Sequence, residues 1–342
     1  MTRPTRPTIR LSSPGDMAIA IPMLLGFHPE ESLVVSCLKG AAVDLTMRFD
    51  LADLSDPEAF ADELDDRIRC SAADVAFMAV FAEAAPASDG LPYGDLVDVL
   101  YADPRLRIVE AVLVSGRRWW SYLCDDPMCC PAAGRPLDET SDVATALSAA
   151  FALAGSRVLA GRGALVDLIA VDPAIEVDAA DRELAAARRR VAAMQPAERV
   201  SSMRALVDRL VDRLADPRAA VTDSEVAELA ALFHDVSARD DVLVQAVPPA
   251  RRDGILRLLR TAVRRVPPPH DAPLCTALAW FAYADGDGTS ANIALDRALD
   301  SDAEYSLALL IEASLERQLP PAALVEVMEG AARVLNARDA AG

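Results

Sequence analysis

Apolar positions recur with two different periods along this chain, and the change of period divides it. Up to about residue 172, short β-branched runs alternate with helical stretches. Ser12 and Ser13 before Pro14 start a helix that runs to about Leu25, where Gly26 stops it. Ser32–Leu38 (SLVVSCL) reads as a buried strand, and Lys39-Gly40 as a turn. Val43–Phe49 is its hairpin partner, with Val43, Leu45, Met47 and Phe49 on one face. Asp56-Pro57 opens a helix to about Cys70, with Asp62, Glu63, Asp65 and Asp66 outward. Asp74–Phe81 is apolar enough to be central in a sheet. A loop at 85–94 leads to a helix over Leu96–Tyr101, and strands follow at Arg107–Ser115 and Arg117–Leu123. A cysteine-bearing loop spans Cys124–Thr140, and Ser141-Asp142 caps a helix ending near Gly155.

Beyond about residue 180 only helical spacing remains, in nine segments: 180–194, 197–215, 223–235, 239–246, 249–265, 273–284, 289–299, 303–317 and 321–337. The pattern predicts an α/β domain over 1–172, a mixed sheet with flanking helices, then an all-α domain over 180–342. Asp172–Asp178 is the expected linker. Within Leu278–Leu299, Trp280 and Tyr283 precede a Gly-Asp turn and small residues at Ala291, Ala294 and Ala298. That spacing predicts one tetratricopeptide-like hairpin; a solenoid needs about three repeats, so the hairpin belongs to a compact bundle.

Composition narrows the classes. The 342 residues are 52% hydrophobic and carry a net charge of −19, with Lys39 the single lysine. The chain is too apolar for disorder, and its charge disfavours nucleic acid and anionic membrane. No apolar run reaches membrane-helix length. Met17–Leu25 after Arg3, Arg6 and Arg10 has the outline of a secretion signal, but Asp16 and Pro22 interrupt it and no cleavage site follows. The six irregularly spaced cysteines fit reduced thiols in the cytoplasm, not a secreted disulfide scaffold.

Three segments carry a family resemblance: PMLLGFHPEESLVV (Pro22–Val35), SGRRWWSYLCDDPMCCPAAGRPL (Ser115–Leu137) and LAWFAYADGDGTSANIALDRALDSDAEYSLALL (Leu278–Leu310). Together they resemble the actinobacterial domain-of-unknown-function family 4192 over nearly the whole chain. The resemblance implies a soluble cytoplasmic protein and transfers no catalytic residue.

Several groups are chemically suggestive. Trp120, Tyr122 and Cys124 alternate onto one strand face and Trp119, Ser121 and Leu123 onto the other. The loop that follows can return Cys129 or Cys130 to Cys124. Three arrangements are open: a zinc site lacking a visible second half, a disulfide or redox switch, and thiols packed in a turn. His28, His234 and His270 are remote from these cysteines in sequence. The turn Gly26, Phe27, His28, Pro29, Glu30, Glu31, Ser32 gathers an acid/base inventory, although a shaped turn is the simpler account of these residues. Arg48 and Asp50 end the second strand, where an arginine can hold an anion or pair locally. In Arg251–Arg265, Arg252, Arg257, Arg260 and Arg264 are placed to form a basic face for an anion or an acidic partner, or a solvated face paired with local acids. Asp285-Gly-Asp287-Gly-Thr289 fails the calcium-loop pattern, and Asp287 or Thr289 is expected to cap the next helix. Nucleotide-loop, dinucleotide and familiar hydrolase motifs are absent. The expectation is a non-enzymatic binding or regulatory protein, acting through a protein partner or self-association. The alternative is an enzyme or a metal- or thiol-dependent sensor, with its site among Arg48, Trp119, Trp120, Tyr122 and the cysteine loop.

Overall fold

The computed structural model describes residues 9–339 apart from 41, 72, 85, 87–89, 154–156, 217, 246–248 and 318. Arg3, Arg6 and the expected helix end near Gly155 lie outside the described residues. Contacts divide the chain into two compact units, Met1–Ala164 and Leu165–Gly342.

The first unit contains α1 (Pro14–Leu25), β1 (Ser32–Lys39), β2 (Ala42–Asp50), α2 (Pro57–Cys70), β3 (Val75–Phe81), α3 (Gly94–Ala102), β4 (Ile108–Ser115), β5 (Arg118–Ser121), β6 (Arg135–Pro136) and α4 (Asp142–Leu153). Their sheet order is β2-β1-β3-β4-β5-β6. The strands pair antiparallel except β3 with β4, which are parallel and joined through α3. The apolar β3 is interior, as its composition predicts.

Helices cover both faces. On one, Leu33, Val35, Met78, Val80 and Leu113 pack with Phe60 and Leu64 of α2 and Leu96 and Leu100 of α3. On the other lies α1, whose Ser13 and Asp16 cap each other reciprocally at its start. Trp119 packs on this side against Gly15, where a Cβ would stand 2.8 Å from the indole nitrogen. Trp120 and Tyr122 pack against the α2–α3 core. The two tryptophans therefore take opposite faces, as strand alternation requires.

Two details of the sheet depart from the sequence pattern. The fifth strand stops at Ser121, not Leu123, because the Ser121 hydroxyl accepts from Leu123 N–H and donates to Glu110, turning the chain off the ladder. The expected loop also contains β6, a two-residue edge strand. Proline at 136 hid it, and a sheet edge is where proline is tolerated.

In sequence order, α5 (Arg162–Ile169) is followed by α6 (Val177–Ala193), α7 (Pro196–Arg213), α8 (Asp223–Phe233), α9 (Val236–Gln245), α10 (Pro249–Val263), α11 (Ala272–Ala284), α12 (Gly288–Ser301), α13 (Ser306–Glu316) and α14 (Pro321–Asp339). In the second unit, α11 is buried along almost its whole length and packs against α12, whose Ala291, Ala294 and Ala298 are buried. Asp287 caps α12 by accepting from Ser290 N–H.

Arginines fasten this unit from inside. Arg252 is only 6% exposed and donates to the Ala284 carbonyl at the end of α11. Arg264 donates to the carbonyls of Asp167 and Leu168, and Arg199 to those of Val191 and Ala192. Arg297 reaches the carbonyls of Ile169, Val263 and Val266 and the buried carboxylate of Asp271. A planar fork suits this work, because helix C-termini present several unpaired carbonyls at once. Arg252 and Arg264 are thus held by structural bonds, whereas Arg257 is exposed and Arg260 half-buried.

Candidate functional site: a three-thiol loop

The β5 strand leads directly into the loop that carries Cys124, Cys129 and Cys130. Tyr122 fixes the entry: its hydroxyl donates to Pro92 O at 2.6 Å, and its backbone N–H to Ala111 O at 2.9 Å. Inside the loop, the Asp126 carbonyl accepts from both Cys129 N–H (3.0 Å) and Cys130 N–H (2.6 Å). That one carbonyl folds the two neighbouring cysteines back in a tight turn. The exit is clamped twice. Trp120 donates its indole N–H to Ala132 O at 3.0 Å, and Arg118 donates to Ala133 O and Gly134 O at 2.9 and 2.8 Å.

The result is that the three sulfurs lie within 4.8 Å of one another. Cys129 is exposed, and Cys124 and Cys130 are half-buried. Among the described residues no histidine or carboxylate joins them. Desolvation, together with hydrogen bonds and charge from Cys124 and Cys129, pushes the Cys130 thiol up to about 12. The other cysteines stand apart as free thiols: Cys70 is exposed, and Cys37 and Cys275 are buried, with burial raising Cys37 to about 11 and Cys275 upward as well.

The remaining candidates do not converge on this loop. Gly26 takes φ +81° to end α1, a conformation that favours glycine. Phe27 is buried, and the His28 N–H donates to Leu159 O while its side chain is exposed. Pro29 is buried in the same turn. Arg48 donates to the buried Ser32 hydroxyl at 2.8 Å and grips Asp50 with both terminal nitrogens. A cavity of 420 Å³ beside Arg48 and Asp50 is lined also by Phe49, Asp53, Asp56, Phe60 and Glu63, without His28 and without any cysteine.

A further pairing has no sequence signature. Glu31 (φ +39°) accepts from Glu83 N–H and from the hydroxyl of Tyr93 (φ +60°), two non-glycine residues in the left-handed region. Desolvation and Glu31 raise the Tyr93 hydroxyl above its ordinary value.

The helical unit brings two of the histidines together. Arg188 lies 2.8 Å from His234 Nε2, and His270 is 3.8 Å from Asp181. Loss of hydration, followed by the Arg188 guanidinium, lowers His234 to about 4. The unfolded ring, at its ordinary 6.5, takes up its proton first as pH falls. The histidine therefore supports folding above pH 6.5, and that support is lost progressively between about 6.5 and 4. The residue is exposed, so water screens part of this effect. The urea midpoint of the helical unit should therefore fall across that window only slightly more steeply in wild type than in His234→Gln. Parallel curves would remove His234 from the acid response.

These features define a class: a chain with an α/β unit of helices on both faces of a mixed sheet, a wholly helical unit, and a clamped three-thiol loop on the sheet edge. A family model described as Domain of unknown function (DUF4192) matches residues 14–322, and the chain belongs to that family. No curated protein and no solved structure matches it. Among the described residues no helix is long and apolar enough to cross a membrane.

Proposed function

We propose that this protein is a non-enzymatic binding or regulatory protein of the cytoplasm whose responsive element is the thiol loop of the α/β unit. The observation that carries the reading is the gathering of Cys124, Cys129 and Cys130 within 4.8 Å by bonds that do not involve the sulfurs. Thiols so arranged respond together to an oxidant or a thiophilic ion, whereas isolated thiols respond singly. The dispersal of His28, Arg48 and the cysteines favours a sensor over an enzyme, since a catalytic set has to meet at one reacting atom. The helical unit, whose α11–α12 hairpin we read as tetratricopeptide-like, is the part we assign to a protein partner or a second copy. The charge of −19 disfavours nucleic acid as that partner.

Hydrogen peroxide is the test reagent. Two thiols and one peroxide give one disulfide and two waters, with the peroxide reduced. Metal-free protein treated with peroxide and then alkylated should lose two alkylation sites, at Cys124 and at Cys129 or Cys130. Cys70 should stay alkylated, and dithiothreitol should restore both sites. Independent labelling of all three loop cysteines after peroxide would overturn the reading.

A further inference from the structure

Resting on that reading, we infer that Cys124, Cys129 and Cys130 form a zinc site with three thiolate ligands and a fourth position open to an exogenous ligand.

The distances suit the ion. A Zn–S bond of about 2.3 Å in a tetrahedron sets the sulfurs about 3.8 Å apart. The sulfurs already lie within 4.8 Å of one another, so closing on an ion moves each by less than about 1 Å. Such a shift needs only rotation about side-chain bonds, because the backbone is fixed on both sides of the cluster. Asp126 O holds the two adjacent cysteines, Trp120 and Arg118 hold the exit, and Tyr122 holds the entry. The ligand set is therefore assembled before the ion arrives, and binding is relieved of most of the ordering cost.

The donor chemistry selects the class. An all-sulfur set prefers thiophilic ions and discriminates against magnesium, calcium and manganese, which seek oxygen. A divalent ion offsets more of the charge of three thiolates than a monovalent one does, in a loop that also carries Asp125 and Asp126. The Asp126 carboxylate is turned to the backbone N–H of Met128, and among the described residues no carboxylate or imidazole joins the sulfurs. The exposure of Cys129 at the loop surface puts the fourth vertex toward solvent. A water there, or a thiol or carboxylate from another molecule, completes the tetrahedron. Three protein ligands with one open position distinguish this arrangement from a closed structural site.

The experiment uses the full-length reduced protein, stripped with a chelator and titrated with Zn²⁺ and with Co²⁺ as a spectroscopic substitute. One equivalent should bind. Cobalt should show sulfur-to-metal charge transfer and tetrahedral ligand-field bands that shift when imidazole or 2-mercaptoethanol is added. Cys124→Ser, Cys129→Ser and Cys130→Ser should each weaken binding by about 100-fold or more, beyond the usual effect of losing a supporting contact. Cys70→Ser, on α2, should bind as wild type, and circular dichroism of each variant separates lost ligation from lost folding. No zinc binding, binding indifferent to Cys130→Ser, bands unmoved by added ligand, or selective binding of Cu⁺ would each overturn the zinc assignment. If zinc fails while peroxide still pairs the thiols, the sensor reading stands without the metal. If both fail, the loop is packing alone.

Discussion

Asp271→Ala should cost the helical unit about 3–5 kcal/mol, the scale expected when one partner is removed from a buried ion pair. Asp271 is 0% exposed, and its carboxylate accepts from Arg297 Nε at 2.8 Å and from Ser301 Oγ at 2.6 Å. Arg297 in turn links the carbonyls of Ile169, Val263 and Val266, which end α5 and lie at the end of α10. Removing the carboxylate leaves that guanidinium largely buried without its counter-charge, and leaves the Ser301 hydroxyl without its acceptor. Asp271→Asn keeps an acceptor oxygen but no charge, so its loss should be smaller. Trp280 is the only tryptophan after residue 164, and its fluorescence reports urea unfolding of this unit. A loss below about 1 kcal/mol for Asp271→Ala, on the scale of an exposed pair, would mean that the network is dispensable.

That network also marks the limit of what the residue pattern discloses. The helices around it are legible because apolar spacing repeats over three or more turns, as with Ile255, Leu258, Leu259 and Ala262 of α10. The strand order follows in part from the uninterrupted apolar run of β3, and the opposed faces of Trp119 and Trp120 from simple alternation. The inward role of Arg252, Arg264 and Arg297 has no comparable signature. Capping carbonyls lie on other helices, up to 128 residues away for Arg297 and Ile169, so a cluster such as Arg251–Arg265 reads outwardly as a basic face. The Glu31–Tyr93 contact spans 62 residues for the same reason. The thiol loop is intermediate. Its spacing announces that Cys124 and Cys129 can meet. The clamp that makes all three sulfurs meet is built from backbone carbonyls, which every residue possesses.

Gly134→Ala tests that clamp, with an expected destabilisation of the α/β unit of about 2–4 kcal/mol from a left-handed conformation and overpacking combined. Gly134 sits at φ +71°, where an L side chain is strained, and an added Cβ would overlap the Trp120 ring. The ring cannot yield freely, because its N–H donates to Ala132 O and its face packs on the α2–α3 core. The loop must lift instead, taking with it the Gly134 and Ala133 carbonyls that Arg118 holds. Two readouts should therefore move together: the denaturation midpoint should fall, and peroxide should no longer pair the loop thiols selectively. Trp120→Leu in the Gly134→Ala background should recover the steric part of the loss but not the backbone part, and the mutant cycle separates the two. Restored stability without restored thiol pairing would show that the indole bond to Ala132, and not the packing of residue 134, gathers the sulfurs. Unchanged pairing in Gly134→Ala itself would mean that the Asp126 turn alone suffices, and that the clamp serves the sheet edge only.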